Sequence, residues 1–420
     1  MSQLSQLAET LIGSEIVRLG NEIAVRVNRG EKIYNYTIGD FDPQIFPIPQ
    51  ELEDAIIDAY RNKLTNYPPG DGLLELRQAV ASFIKDREGI EYAANEVLIA
   101  GGGRPLIYSL FRTIVNPGDK VLYAVPSWNN NHYTHMNGGE HCVIEATPEN
   151  DFMPTAADIA PHIAGAALLC LCTPQNPTGT TLAKAELEKI CDLVLEENKR
   201  RGDGKKLYVM FDQMYFTLTY GETEHYNPVS LRPEMKQYTI FIDGISKAFA
   251  ATGVRVGWSF GPAPVIAKMK ALLSHIGAWS PMAEQKATAQ YLLQKDAVST
   301  YLTSFKKELE ERLWAIYNGI IALKEKGYPV DAIAPQAAIY LTIKIDLAGR
   351  EAGGKQLSNQ SEVTEYLLNE AKLAIVPFYA FGANKQSPWY RLSIGTCKKE
   401  EIAEMLGMLE SALQRLMVLS

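Results

Sequence analysis

Tyr238-Thr239-Ile240-Phe241-Ile242-Asp243-Gly244-Ile245-Ser246-Lys247 is the stretch on which the reading of this chain turns. Tyr238 to Ile242 is a short apolar run, suited to a buried strand, and Asp243-Gly244 is a turn signal. The turn delivers one lysine. A basic side chain at such a strand end reaches into a crevice rather than into bulk water. A second cation, Arg255, follows within Thr252-Gly253-Val254-Arg255-Val256-Gly257-Trp258. A lysine amine forms a Schiff base with an aldehyde, and an arginine grips a phosphate in a fork. Taken alone, a Ser-Lys pair is more often part of a surface loop. Its meaning therefore depends on what the other turns supply.

Working outward, short apolar strands alternate with helices from Glu96 onward. Strands are expected at Val97 to Ala100, Lys120 to Val125, His141 to Glu145, Ala167 to Leu171, Leu207 to Phe211 and Val256 to Phe260. Pro105 to Val115 and Ala183 to Arg201 read as helices. This alternation predicts an α/β fold, with a mainly parallel sheet covered on both faces. A long helix over Ala297 to Lys326 leads into a smaller α+β unit. That unit has strands at Ile339 to Ile345 and Tyr390 to Ile394, and helices at Ser361 to Ala371 and Lys398 to Met417. Ala374 to Val376 reads as extended, and Gly349 to Gln360 as an exposed loop. Leu4 to Val27 has mostly helical spacing, and Ile33 to Ile38 reads as extended. The expected organisation is an N-terminal segment, residues 1–50, packing with the small domain; a large cofactor-binding domain, 51–296; and a small C-terminal domain, 297–420.

The bulk numbers exclude some classes. A formal net charge of −8 argues against a nucleic-acid surface, which needs a basic excess. The hydrophobic share of 46% is ordinary for a globular protein. The five cysteines are odd in number and show no disulfide-like spacing. Cys170 and Cys172 alternate within an apolar run and read as buried thiols, not metal ligands. A reducing, cytoplasmic setting is expected. No signal peptide and no membrane-spanning run is read.

Four further turns follow strands or open helices. Gly101-Gly102-Gly103-Arg104-Pro105 lets backbone N–H groups approach an anion at a helix N-terminus, although a plain tight turn explains glycines equally well. Pro126-Ser127-Trp128 offers an aromatic face that can stack on a flat ring or simply pack. Thr173-Pro174-Gln175-Asn176-Pro177-Thr178-Gly179 carries an amide at a strand's carboxyl edge. Phe211-Asp212-Gln213-Met214-Tyr215 brings a carboxylate out of an apolar strand, which is costly unless it is paired or caps a helix.

The set Asn176-Pro177-Thr178-Gly179, Asp212-x-x-Tyr215 and Ser246-Lys247-x7-Arg255 resembles the class I and II aminotransferases of the aspartate aminotransferase superfamily. Tyr67-Pro68-Pro69-Gly70-x-Gly72-x3-Leu76-Arg77 is similar to that family's early motif. Pro377-Phe378-x-x-Phe381-Gly382 and Tyr390-Arg391-Leu392-Ser393 are similar to its late ones. The motifs stand in the family's order over nearly the whole chain.

The resemblance implies a three-layer fold, pyridoxal 5'-phosphate as cofactor, and transamination between an amino acid and a 2-oxo acid. It also implies roles. Lys247 would bind the cofactor as a Schiff base and later shuttle the substrate's Cα proton. Asp212 would pair with the ring nitrogen, while Asn176 and Tyr215 would bond the phenolic oxygen. Trp128 would stack on the ring. Gly103, Arg104, Ser246 and Arg255 would hold the phosphate. Tyr67 would reach the phosphate of a neighbouring subunit, which implies a homodimer with shared sites. Arg391 would grip the substrate α-carboxylate, with Gly39, Asn176 and Trp128 beside it.

Some positions depart from the family. Gln213 stands where glutamate is usual, and Arg104 where lysine is common. Pro105 removes a backbone donor. Phe378 replaces the usual glycine, which raises the question of the pocket's shape. His132 and His135 receive no family role and read as solvated. Aspartate is the expected substrate, with glutamate and 2-oxoglutarate the common pair. Alanine or aromatic amino acids are alternatives, with Phe378 and Tyr379 lining an apolar pocket. A carbon–sulfur β-lyase on the same scaffold is another. A second cation for a distal carboxylate is not identified; Arg18, Arg26 and Asn129 to Asn131 are the candidates.

Overall fold

The structure is a computed structural model and describes residues 3–13, 15–352 and 355–417. Seven strands form the central sheet. They are β1 (Val97–Ala100), β2 (Lys120–Val125), β3 (Glu140–Glu145), β4 (Ala166–Cys172), β5 (Tyr208–Asp212), β6 (Thr239–Gly244) and β7 (Gly257–Phe260). Their spatial order is β1-β7-β6-β5-β4-β2-β3. The pairs from β6 through to β3 are parallel, and β7 runs antiparallel to both of its neighbours.

Burial on both faces explains the unbroken apolar runs. The pleat divides β1 cleanly: Val97 and Ile99 join one core cluster with Phe211, Phe241 and Trp258, while Leu98 and Ala100 join the other with Leu110, Ile240 and Ile242. Phe241 and Phe260 stack at 4.4 Å across the β6–β7 pair. The chain runs outward from β2 to β3 and then returns to β4 on the far side of β2. That reversal opens a crevice beyond the carboxyl ends of β2 and β4, where ligands bind in such sheets.

A second sheet has the order β10-β11-β9-β8, from β8 (Val330–Ala332), β9 (Tyr340–Ile345), β10 (Val376–Pro377) and β11 (Trp389–Ser393). All of its pairs are antiparallel. The helices α1 (Lys295–Glu325) and α2 (Ile402–Met417) cover it. Leu309, Leu313, Leu409 and Leu413 share a core with Leu341 and Ile343. Residues from the beginning of the chain enter the same core. Tyr34–Asn35 pairs in parallel with Leu373–Ala374, and Tyr36, Phe41 and Phe46 pack alongside.

Four details differ from the sequence expectation. The N-terminal helix is two pieces, Gln6–Thr10 and Glu15–Asn28, with the poor helix former Gly13 between them. Residues 349–360 include a two-stranded ribbon, Glu351–Ala352 with Lys355–Gln356, and Leu357 is buried. The extended piece near Ala374 is two short strands. The fifth sheet strand ends on Asp212 itself, not before it. Among the described residues no helix is long and apolar enough to cross a membrane.

Candidate active site

A cavity of about 330 Å³ lies beyond the carboxyl ends of the strands. Lys247 lies just past β6, in a single helical turn, Ile245–Ala248. The backbone there is crowded: a Cβ on Gly244 would sit 2.8 Å from Val256 O, so glycine is needed for close approach. Lys247 Nζ donates to Gly39 O at 2.5 Å. Burial pushes this amine down to about 8; Asp40 opposes the shift, and Arg391, Arg104 and Arg255 add to it.

Asp212 ends β5, with its carboxylate in the cavity. It does not cap a helix. Its Oδ1 accepts the Met214 N–H at 3.1 Å, and among the described residues no cation pairs with it. Burial pushes this carboxyl up to about 6. Tyr215 shares a hydrogen bond with Tyr340 between their hydroxyls, at 2.6 Å. Burial raises the Tyr215 phenol well above its ordinary range.

Arg391 comes from β11 in the second sheet and is 2% exposed. Its Nη1 donates to Asn176 Oδ1 at 3.0 Å and its Nη2 to Thr37 O at 2.6 Å. The rings of Tyr340 and Phe381 lie on it at 4.7 and 4.9 Å. Its Nε is buried without a hydrogen-bond partner. Burial lowers its proton affinity.

Arg255 adopts the left-handed conformation, at φ 62°. Its two terminal nitrogens donate to Thr252 O and Gly101 O, both at 2.7 Å. The guanidinium therefore sits over the Gly101–Gly103 turn. Gly102 there has φ 96°, and a Cβ would fall 2.1 Å from Arg255 Nη2, so any other residue would be strained and would push the guanidinium aside. Gly103 opens the helix Gly103–Ile114 with its N-terminus on the cavity. Arg104 lies 4.9 Å over the Trp128 ring. Both line the cavity, as do Ser246, Asn176 and Gly39.

Of the residues given a cofactor- or substrate-holding role from sequence, Tyr67 alone stays outside. It is 81% exposed and packs edge-on against Trp279 at 5.2 Å. Phe378 is fully buried against Phe152 and does not line the cavity, so the expected apolar pocket wall is not there. Tyr379 lines a separate cavity of about 930 Å³ with His132 and His135. His135 Nε2 bonds the Thr10 hydroxyl at 3.0 Å. Arg18 is paired with Glu15 at 2.5 Å and Arg26 bonds Asn369 at 2.7 Å; neither reaches the site. Of Asn129 to Asn131, only Asn130 lines the cavity.

Sequence reasoning missed Asp40, Cys172, Thr252 and Tyr340, which also line it. Asp40 Oδ1 accepts the Thr252 hydroxyl at 2.6 Å. Cys172 was legible in principle, because it ends β4 directly opposite Asp212 in the strand register. Tyr340 heads a strand of the other sheet, and no local pattern points it at this cavity.

Residues 32–409 match the family model for aminotransferases of class I and II. An aspartate aminotransferase of Bacillus sp. (strain YM-2) is 31% identical over 374 residues, 88% of each chain. A probable aspartate/prephenate aminotransferase of Rhizobium leguminosarum bv. phaseoli is 28% identical over 378 residues, 89% of each. The crystal structure of the aspartate aminotransferase from Rhizobium meliloti superposes with a TM-score of 0.90 at 25% identity, covering 99% of this chain and 100% of that one. With the match running across both sheets and through every turn of the cavity, this chain belongs to the class I and II aminotransferases.

Proposed function

We propose that this chain transfers the amino group of a dicarboxylic amino acid to a 2-oxo acid with pyridoxal 5'-phosphate, aspartate and glutamate being the substrates and 2-oxoglutarate the common acceptor. One observation carries the reading. A half-buried amine, a half-buried carboxylate that pairs with no cation among the described residues, and a buried guanidinium with a spare N–H converge on one cavity.

The donor set suits the cofactor. Asp212 lacks the cation that a protonated ring nitrogen would provide. Asn176 spends its oxygen on Arg391, so its NH₂ is left to donate to a phenolic oxygen. The Gly103 helix end, Ser246 and Arg255 form an anion cradle for the phosphate. Trp128 offers a flat face. When bound, pyridoxal phosphate supplies the electron sink that makes the substrate's Cα–H acidic. Lys247 Nζ would take the Cα proton and return it. Asp212 would hold the ring nitrogen's proton in place. Arg391 would clamp the α-carboxylate through its fork, and the rings of Tyr340 and Phe381 would keep water from it.

Arg104 supports the dicarboxylic substrate class. It is a further cation in the cavity, and among the described residues no carboxylate pairs with it. Its backbone N–H serves the phosphate, while its side chain is free for a distal carboxylate. Arg104→Met is expected to lower kcat/KM for aspartate and glutamate by about 10- to 100-fold, the worth of one charged hydrogen bond. Alanine should change by less than about threefold. The measurement is a half-reaction screen: loss of the loaded protein's visible absorbance with stoichiometric release of 2-oxo acid. An equal loss for alanine would remove Arg104 from substrate selection. Release of pyruvate and ammonia from cystathionine without an acceptor would favour a lyase instead.

We propose a homodimer with shared sites, supported by Tyr67, which stands outside its own cavity. It shares a surface groove with Tyr60 and Trp279, and both tyrosines are exposed. Sedimentation should give twice the 46.6 kDa chain mass; a monomer at micromolar concentration would sink the proposal. The division at 50/51 and 296/297 is likewise our reading, supported by the pairing of Tyr34–Asn35 with Leu373–Ala374. The five free cysteines suit a reducing compartment such as the cytoplasm.

A further inference from the structure

We propose that Glu88, which lies outside the cavity, is a positioning residue for Asp212 and acts through Gln213. The proposal rests on the role given to Asp212 above.

The turn after β5 alternates its side chains. Asp212, Met214 and Tyr215 line the cavity, whereas Gln213 turns away beneath them and is 0% exposed. Gln213 Nε2 donates to Glu88 Oε1 at 2.6 Å. The other carboxylate oxygen, Oε2, accepts Asn227 Nδ2 at 3.1 Å. His225 closes the group. Its Nε2 is 3.4 Å from Gln213 Oε1 and 3.8 Å from Glu88 Oε2, and its ring lies between Phe211 and Phe216. The backbone reinforces the anchor: Gln213 N–H donates to Ile242 O at 3.0 Å, and Phe216 N–H to Gln213 O at 2.9 Å.

A stability argument does not explain Glu88. It ends the helix Leu74–Glu88, where the dipole disfavours a negative charge, and it is buried. What the carboxyl does instead is accept two amide donors from two separate segments, 213 and 227. It thereby fixes the height and tilt of the turn that presents Asp212 and Tyr215. Gln213 suits this arrangement because its amide can donate. A glutamate at 213 would place two carboxyls in contact and need a shared proton. Burial pushes Glu88 up to about 7 and His225 down to about 3, in keeping with a neutral cluster. Asp243 and Tyr92 also face it, and Asp243 in turn faces Asp212.

The test uses the full-length protein loaded with pyridoxal phosphate. Glu88→Ala should lower kcat about tenfold, the scale of outer-shell positioning contacts, with KM for both substrates within about twofold. It should also shift the pH midpoint of the bound cofactor's visible absorbance, which a merely structural residue would not move. Glu88→Gln keeps one acceptor and should recover most of the rate. In an Asp212→Asn background, Glu88→Ala should add no further loss. If Glu88→Ala fails to fold, Gln213→Met cuts the same link from the other end and should show the same pattern. An unchanged kcat and midpoint, or a full additional loss in the Asp212→Asn background, would overturn the proposal. If Asp212→Asn alone leaves turnover intact, it is the role of Asp212 that fails, and the two failures are thus told apart.

Discussion

Lys247→Ala is expected to lower turnover by about four orders of magnitude, the upper range for a positioned general acid–base group. The amine is the basic nitrogen held over the rings of Phe41 and Tyr215, at 5.6 and 5.9 Å, and alanine leaves nothing there to carry the Cα proton. Single-turnover conversion of loaded protein with an excess amino acid is the measurement. Retention of the parent rate would end the role given to Lys247. The pH dependence has a sign. Burial lowers the amine from an ordinary 10.5 to about 8 in the folded protein. Its neutral, nucleophilic form therefore grows with pH, is half-formed near pH 8 and saturates about one unit above. Capture of pyridoxal phosphate by the cofactor-free parent should rise with a midpoint near pH 8 and level above about 9. An exposed lysine would keep gaining beyond pH 10.

Asp212→Asn should cost about 10³-fold in kcat, the scale of removing one preorganised charge from a water-poor site. Asparagine matches aspartate in shape but cannot hold the ring nitrogen as a cation. The stability of the cofactor-free protein should move the opposite way. Burial raises this acid from an ordinary 3.8 to about 6. A raised carboxyl destabilises the fold once it ionises: the penalty is absent below about pH 3.8 and complete above about 6. Cofactor-free Asp212→Asn should thus melt at or above the parent's temperature at pH 8, while turning over far less. A lower melting temperature at pH 8 would mean that Asp212 is a structural residue. The two outcomes together would mark Asp212 as a side chain in which stability is given up for function.

Most of the large sheet was legible from the chain alone. β1 and β2 fall where the apolar runs place them, because strands buried on both faces carry their signal in consecutive residues. Ends were harder. Asp212 reads as the start of a turn, yet it is the last strand residue, paired with Ile242 in register. Its polarity hid its backbone state. The cavity itself was legible wherever a residue follows a strand of the large sheet, as Trp128, Asn176 and Lys247 do. Asp40 and Tyr340 were not, since each faces the site only through the packing of the second core against the first. Phe378 misled for the same reason. Its place in the motif suggests the cavity wall, but the ring itself is swallowed by the core. Arg104 was read for its backbone, and its side chain became informative only when Trp128 was seen beneath it.

The pairing of Tyr34 with Leu373 has a consequence for how the chain is born. Synthesis advances at about 5–20 residues per second, so the early strand emerges roughly 20–70 s before its mate leaves the ribosome. Through that interval Tyr36, Phe41 and Phe46 have no finished wall to lie against. The nascent chain must therefore carry a sticky, half-clothed beginning until its last quarter arrives, the interval in which exposed apolar surface is most prone to aggregate.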